Sequence, residues 1–213
     1  MTVVVGIVPA GGSGERLGAD RPKAFVVVGG KPMLEYSLDA LGAVCGRVVV
    51  AVPGGQWTVD SGQCVEGGSS RSASVRNAVR AAPDADVFVV HDAARPFVTA
   101  DLVRRCVESL VGVDAVVAAA PVSDTIKEAG PDGLVARTLD RGALWAIQTP
   151  QVFRADVLRR ALDVDDSALA AATDDASLVE AMGGKVRVVQ APPENLKITS
   201  PADLRLAETL LAD

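Results

Sequence analysis

The sequence predicts an α/β fold, a mostly parallel open sheet of βαβ units with a projecting β-hairpin arm. Three observations carry that prediction. Short Val-rich runs recur without polar interruption, the pattern of strands buried on both faces. Segments of helical period lie between them, and strand–helix alternation marks a parallel sheet. One stretch punctuated by Pro and Gly breaks the alternation and reads as a hairpin.

Val3–Val8 is the first apolar run, closed by Pro and Gly. Arg47–Val52, Val87–Val90 and Ala115–Ala120 repeat the pattern. Met33–Leu41 follows a Pro at a helix start. Ser72–Ala82 sets Val75, Val79 and Ala82 on one face and Arg76 and Arg80 on the other. Asp101–Leu110 reads the same way. Asp124–Phe153 then departs from the rhythm: Thr125–Glu128, a turn at Gly130-Pro131-Asp132-Gly133, and Leu134–Leu139. Beyond Phe153, helical segments fall at Arg154–Leu162 and Asp174–Met182, a strand at Val186–Gln190, and a last helix after Pro201. No repeat, linker or second hydrophobic core divides the chain. Residues 1–213 are therefore expected to form one domain, with 124–146 as a dimerisation arm. A hairpin leaving an α/β domain often pairs with another subunit, so a homodimer is expected; a surface ribbon on a monomer is the plainer alternative.

Composition narrows the function classes. The chain has 213 residues, 49% of them apolar and only 3% aromatic, enough for one sizeable Val/Ala/Leu core. Its formal charge of −6 suits no nucleic-acid partner, which would need a broad basic surface. An anionic ligand must instead be held by a few local Lys and Arg residues. No apolar stretch approaches the roughly 18–20 residues of a membrane span, so no membrane partner is expected. Three scattered cysteines, Cys45, Cys64 and Cys106, form no CxxC pair and suit a reducing cytoplasm. A strand-like run begins at once, with no basic n-region, so a signal peptide is not expected.

The most informative stretch is "VPAGGSGERLGADRPKAF", Val8 to Phe25. It follows a strand and precedes a helix-like region, the setting of an anion-binding loop. The P-loop pattern GxxxxGK[ST] is absent. The dinucleotide pattern GxGxxG starts at Gly12-Ser13-Gly14 and fails at Leu17, where the third glycine belongs. Glycine-rich turns also arise for backbone reasons alone. Arg16 and Lys23 shift the balance, one a planar fork and the other a mobile point charge. Pro22 keeps Arg21 extended and sets the approach to Lys23. Backbone N–H groups freed by glycine can close on phosphate oxygens. The combination matches the charge of a triphosphate undergoing cleavage.

"PAGGSGERLGADRPKAF" resembles the signature loop of the nucleotidyltransferases that activate sugars and sugar alcohols. Four further motifs, "VVHDAARPFV", "LWAIQTPQVF", "TDDASLVE" and "ENLKITSPADL", narrow the resemblance to the 2-C-methyl-D-erythritol 4-phosphate cytidylyltransferases of the non-mevalonate isoprenoid pathway. They span nearly the whole chain in the family's order. The departures are small: Gly11 where the family usually has Ala, Leu17 where it often has Met, Ala24 where it often has Gln. The resemblance implies a Rossmann-like sheet of nucleotidyltransferase type. It implies transfer of a cytidylyl group from CTP to methylerythritol phosphate, with magnesium as cofactor and pyrophosphate released. The implied nucleophile, a phosphate monoester with a second pKa of about 6, is already ionised at neutral pH. No general base is required, in keeping with a single His in the chain. Catalysis reduces to positioning two polyanions and stabilising charge.

On that basis Arg16, Lys23 and, by resemblance, Lys197 form the catalytic cations. Taken alone, Lys197 is a surface lysine after a turn. Ala10, Gly11, Gly12 and Gly14 belong to the nucleotide loop. Gly67, Gly68 and Ser74 match the family's loop that reads cytosine through main chain and a serine; as bare sequence they form a Gly/Ser turn with a helix cap. Asp92 and Ala93 follow the strand Val87–Val90. Asp92 has two readings, a magnesium ligand or a cap for the next helix. His91 reads as a packed structural histidine. Arg95 either braces the loop or meets substrate phosphate. Thr125, Arg141, Thr149 and Thr173 match family positions around methylerythritol phosphate, with Arg141 on its phosphate across a dimer interface; turn chemistry and a solvated charge are the plainer readings. Ribitol 5-phosphate as acceptor, or GTP or UTP as donor, stay open. A dinucleotide-dependent oxidoreductase is opposed by the missing third glycine and by Val52-Pro53-Gly54 where an acidic residue would stand.

Overall fold

The computed structural model describes residues 1–18, 20–54, 59 and 62–212. Ala19 of the first loop and Asp213 of the expected domain lie outside them. In chain order the elements begin with β1 (Val4–Pro9), the short β2 (Val27–Val28) and β3 (Lys31–Pro32), α1 (Met33–Gly42), β4 (Arg47–Val52) and β5 (Gln63–Glu66). Next come α2 (Arg71–Arg80), β6 (Val87–Val90), α3 (Ala100–Glu108) and β7 (Ala115–Pro121). The hairpin β8 (Lys127–Ala129) and β9 (Val135–Thr138) precedes β10 (Trp145–Arg154). The chain closes with α4 (Ala155–Ala161), α5 (Asp166–Ala171), α6 (Asp175–Ala181), β11 (Val186–Gln190) and α7 (Pro201–Ala212).

Seven strands form one sheet in the order β11-β7-β10-β6-β1-β4-β5. Among the described strands of this sheet, β10 alone runs antiparallel to its neighbours. The Val-rich runs are explained by burial on both sides. Val5, Ile7, Val49, Ala51, Phe88 and Val90 turn to one layer, against Val75 and Val79 of α2, Leu158 of α4 and Val179 of α6. Val8, Val48, Val50, Val52, Val87 and Val89 turn to the other, against Leu34, Leu38 and Leu41 of α1 and Leu102 and Val103 of α3. Each fully buried Val or Leu contributes about 1.5–3 kcal/mol. A smaller cluster of Val28, Met33, Ile198 and Ala207 seats α7 and the segment before it over β2 and β3. That contact brings the chain around Lys197 beside the first glycine loop.

One expectation is corrected and one unassigned stretch is filled. No α-helix follows the first loop directly: Gly14 (φ 79°) and Gly18 (φ 67°) bracket a single 3-10 turn, Glu15–Leu17, and Pro22 leads into another, Lys23–Phe25. The left-handed conformation at Gly18 ends the turn before a helix can propagate. The stretch after the hairpin, given no element by the sequence, forms the ten-residue strand β10. Its register shifts between Ile147 and Gln151, where the cis Thr149–Pro150 bond lies, so the proline occupies the break in pairing. The hairpin itself is present, its strand ends displaced by one or two residues, both strands exposed and hydrogen-bonded apart from the main sheet.

Candidate active site

The site lies beyond the carboxyl ends of β1, β5 and β6, where an open parallel sheet presents its loops to ligands. A cavity of about 310 Å³ is lined there by Ala10, Gly11, Gly12, Arg16, Lys23, Gly68, Ser74, Asp92, Ala93 and Lys197. Ala10 is pinned by its N–H to the Ala51 carbonyl (2.8 Å), and Lys23 N–H to that of Gly12 (2.9 Å). Between those anchors the N–H groups of Gly11, Gly12, Ser13 and Gly14 meet no acceptor among the described residues. Free N–H groups in such a glycine loop can close on an anion, and Arg16 and Lys23 line the cavity beside Gly11 and Gly12. Neither cation has an ion-pair partner among the described residues. Lys23 is pushed down to about 8, by burial first and then by the neighbouring charges of Lys197 and Arg16. A site that disfavours its own positive charge is built to receive a negative one. The departure at Gly11 is explained by space: a methyl group there would meet nothing within 4 Å. Gly11→Ala should therefore leave activity within about twofold and raise stability by about 0.4–1 kcal/mol through the unfolded chain; thermal melts and kinetics check it.

The second loop folds onto α2. Ser70 caps the helix by accepting from Ala73 N–H (3.2 Å). Ser74 Oγ accepts from Gly68 N–H (2.9 Å) and donates to the Ser70 carbonyl (2.9 Å). Gly67 N–H is committed to the Val52 carbonyl (2.7 Å). Both loop N–H groups are thus spent, and any base contact from Gly67 and Gly68 falls to their carbonyls. A Cβ at Gly68 would lie 2.5 Å from that of Ala73, which requires the glycine.

Of the two readings of Asp92, the helix cap is excluded. The next helix, α3, is capped by Thr99, whose Oγ1 accepts from Leu102 N–H (3.2 Å), so Asp92 is no helix cap. Its carboxylate instead accepts from Arg71 Nε at Oδ1 (2.9 Å) and from Lys197 Nζ at Oδ2 (2.7 Å). Burial works to raise its pKa, but the Arg71 and Lys197 charges outweigh it and hold the carboxyl well below the usual range. Arg71 extends the network, donating from Nη1 to the fully buried Asp175 (2.6 Å). Arg71 and Asp175 carry no assignment from sequence; the signal available was an arginine opening a helix behind a serine cap.

Lys197 is held by its neighbours on the chain. Asn195 Nδ2 donates to Gln148 Oε1 (2.7 Å) and to the Thr149 carbonyl (3.0 Å), and Ile198 N–H to the Ala94 carbonyl (2.9 Å). Asp203 Oδ2 accepts from Thr199 N–H, Thr199 Oγ1 and Ser200 N–H, a capping arrangement at the start of α7 that brings its pKa down to about 2. Arg95, 8% exposed, donates from Nη1 to the Asn195 carbonyl (2.8 Å), so it braces this loop. His91 is fully buried. Its Nε2 faces the Arg95 carbonyl (3.2 Å), which can only accept, so that nitrogen carries the proton. Nδ1 then accepts from Thr149 Oγ1 (3.0 Å), which itself accepts from Asp92 N–H (3.0 Å). Burial brings the imidazole down to about 4, so it stays neutral and serves as a packing and orienting group.

A second cavity of about 370 Å³ adjoins the first. It is lined by Arg95, Thr149 and Thr173 together with Gln148, Gln151, Asp174 and Glu180. Arg71, Asp92 and Lys197 line both cavities. Two chambers therefore meet at one charged cluster.

The same architecture exists in proteins already characterised. The model of the 2-C-methyl-D-erythritol 4-phosphate cytidylyltransferase family, IspD, matches residues 4–213. The chain belongs to this family. The enzyme so named from Nocardia farcinica is 49% identical, with 98% of this chain and 94% of the relative covered. That from Rhodococcus jostii is 46% identical, with 99% and 96% covered. The crystal structure of the Thermus thermophilus enzyme superposes with a TM-score of 0.85 at 38% identity, covering all of both chains. This cytidylyltransferase family member is accordingly an α/β nucleotidyltransferase. Two assigned residues stand apart from the cytidylyltransferase cleft: neither Thr125 nor Arg141 lines either cavity. Both are exposed near the hairpin, and Arg141 Nη1 donates to the Ser123 carbonyl (2.6 Å). Gly14 and Gly67 shape their loops without lining the cavity.

Proposed function

We infer that the chain transfers the cytidylyl group of CTP to 2-C-methyl-D-erythritol 4-phosphate and releases pyrophosphate. The observation that carries this reading is the meeting of two cavities at Arg71, Asp92 and Lys197. An acceptor phosphate oxygen attacks the α-phosphorus, a new P–O bond forms, and the bond to the β-phosphate bridge breaks with its electron pair on pyrophosphate. The N–H groups of the first loop, Arg16 and Lys23 take the triphosphate and the leaving group. Lys197 offsets charge at the α-phosphate. The acceptor phosphate needs no proton removed, and neutral His91 supplies no base. Arg95, Thr149 and Thr173 border the acceptor chamber.

Magnesium is the proposed cofactor. Asp92 is the one carboxylate among the described residues lining the nucleotide cavity, and each of its oxygens keeps a lone pair beyond the Arg71 and Lys197 bonds. No group of three His, Cys, Asp or Glu among the described residues could hold an ion unaided. The residues would fit an ion brought in on the triphosphate, to which Asp92 would give one oxygen, since magnesium prefers oxygen ligands and keeps several waters. When bound, the ion offsets negative charge on the phosphates.

The segment 124–146 is proposed as a dimerisation arm that brings Thr125 and Arg141 to the partner's acceptor chamber. Exposed Leu134, Val135, Trp145 and Ile147 along the arm and the base of β10 support this. The proposed compartment is the cytoplasm, which suits three free cysteines. No described helix is long and apolar enough to cross a membrane. Arg141→Ala should raise KM for the acceptor about tenfold or more and leave KM for CTP nearly unchanged, the expected loss of a charge-assisted phosphate contact; an unchanged acceptor KM would remove it from the site. The reading as a whole is tested by pyrophosphate release with CTP, magnesium and methylerythritol phosphate, beside ribitol 5-phosphate and with GTP and UTP as competitors. Preferred turnover of ribitol 5-phosphate or of GTP would overturn it.

A further inference from the structure

Asp175 is a fully buried carboxylate in a helix that lies outside the catalytic assignments. It opens α6 directly behind the cap Asp174, whose Oδ1 accepts from Ser177 N–H (2.8 Å). Among the described residues its one partner is Arg71, through Nη1 to Oδ2 at 2.6 Å. A buried carboxylate is costly unless paired, and its retention asks for a reason.

The geometry around Arg71 supplies one. A guanidinium is a planar fork that prefers to grip one carboxylate with two nitrogens. Arg71 does not do so. It gives Nε to Asp92 Oδ1 (2.9 Å) and Nη1 to Asp175 (2.6 Å). That leaves Asp92 Oδ2 for Lys197 Nζ (2.7 Å). The four groups form a line of alternating charge, Asp175, Arg71, Asp92, Lys197, running from under α6 to the junction of the two cavities. Asp175 holds the far nitrogen of the guanidinium while Nε holds Asp92, so the plane of Arg71 is fixed from both sides and with it the carboxylate on which Lys197 is seated.

We propose that Asp175 is a positioning residue: by holding Nη1 of Arg71 it fixes the guanidinium that orients Asp92, and so fixes the Lys197 ammonium on Asp92 Oδ2 where the two cavities meet. This rests on the cytidylyl-transfer reading and deepens it. Asp175 touches no substrate; it acts through Arg71.

The test is steady-state kinetics and thermal melting of the full chain with CTP, magnesium and methylerythritol phosphate, for Asp175→Asn, Arg71→Met and the double variant. Asp175→Asn should lower kcat about tenfold or more, with KM for CTP moving less than about threefold, the split expected when an interaction matters only in the transition state. Added to Arg71→Met, the same substitution should change kcat by less than about twofold, because the residue through which it acts is gone. In that background it should also raise Tm, since it removes an unpaired buried charge. A folded Asp175→Asn with unchanged kcat would overturn the proposal, as would an equal loss of kcat in both backgrounds. If Asp175→Asn does not fold, a further kcat loss from Arg71→Met to the double variant overturns it, and equal kcat values support it. The unsubstituted protein separates the two levels: no cytidylyl transfer there overturns the functional reading and this inference with it.

Discussion

Lys23→Ala lowers kcat by about 10²–10³-fold, a loss of about 3–4 kcal/mol in transition-state stabilisation, the usual scale for one preorganised charge-stabilising group. The fold survives the change. Lys23 has no ion-pair partner among the described residues, and burial with the charges of Lys197 and Arg16 already works against its ammonium. Removing it gives up weaker attractions to Asp92 and Asp203 but relieves the larger cost of burial and the repulsion from Lys197 and Arg16. The melting temperature should hold or rise slightly while turnover collapses. A turnover within a few-fold of the parent would end the catalytic role assigned to Lys23. A pH effect accompanies it. In the free protein Lys23 loses its proton near pH 8, and a bound triphosphate raises that value. CTP affinity contributed by Lys23 is therefore full below about pH 8 and falls as pH rises above it, by up to about tenfold per unit. Titration calorimetry of the parent should show that fall, and Lys23→Ala should lack it.

Asp92→Ala carries the second large effect, and it falls on stability and activity together. The carboxylate is buried and is shared by Arg71 and Lys197. Removing one member of a buried ion cluster leaves charge uncompensated and costs about 3–5 kcal/mol. The lower end is expected, because Arg71 keeps Asp175. Lys197, with no anion to seat it, is repelled by Arg71, and kcat should fall by at least about 10²-fold. The pH dependence has a definite sign. The folded carboxyl ionises well below its unfolded value, so its stabilisation is full above the unfolded pKa of about 3.9 and is lost as pH falls below it. The stability gap between parent and Asp92→Ala should close in that acid range, as denaturant melts at several pH values would record. A gap that is small at neutral pH contradicts the proposed cluster.

The parts of this molecule legible in its sequence are those set by burial or by local chemistry. Val87–Val90 lies between two helical layers, so every position is apolar and the run stands out. Edge strand β5, with Gln63, Cys64 and Glu66 exposed, has no such pattern and left no signal. Pro150 argues against a strand by its missing N–H, yet the register shift between Ile147 and Gln151 accommodates it, and β10 was hidden by that exception. Lys23, Arg16 and the glycines stand together in sequence and in space. Lys197 and Asp92 are separated by 105 residues, and Arg71 and Asp175 by 104. A motif could nominate the first pair; only the fold brings out the second. Arg71 in particular sits in a stretch read for its glycines and serines, where a charge bridging two remote carboxylates has no local signature.

The most direct measurement is a crystal structure of the protein with CTP and an unreactive methylerythritol phosphate analogue bound. The triphosphate should lie against the N–H groups of Gly11 to Gly14 with Arg16 and Lys23 around it, and the acceptor phosphate should approach from the second cavity at Lys197. A nucleotide whose phosphates lie elsewhere, with the first loop turned away from them, would contradict the central claim that fixed cations bring two repelling phosphates together without a base.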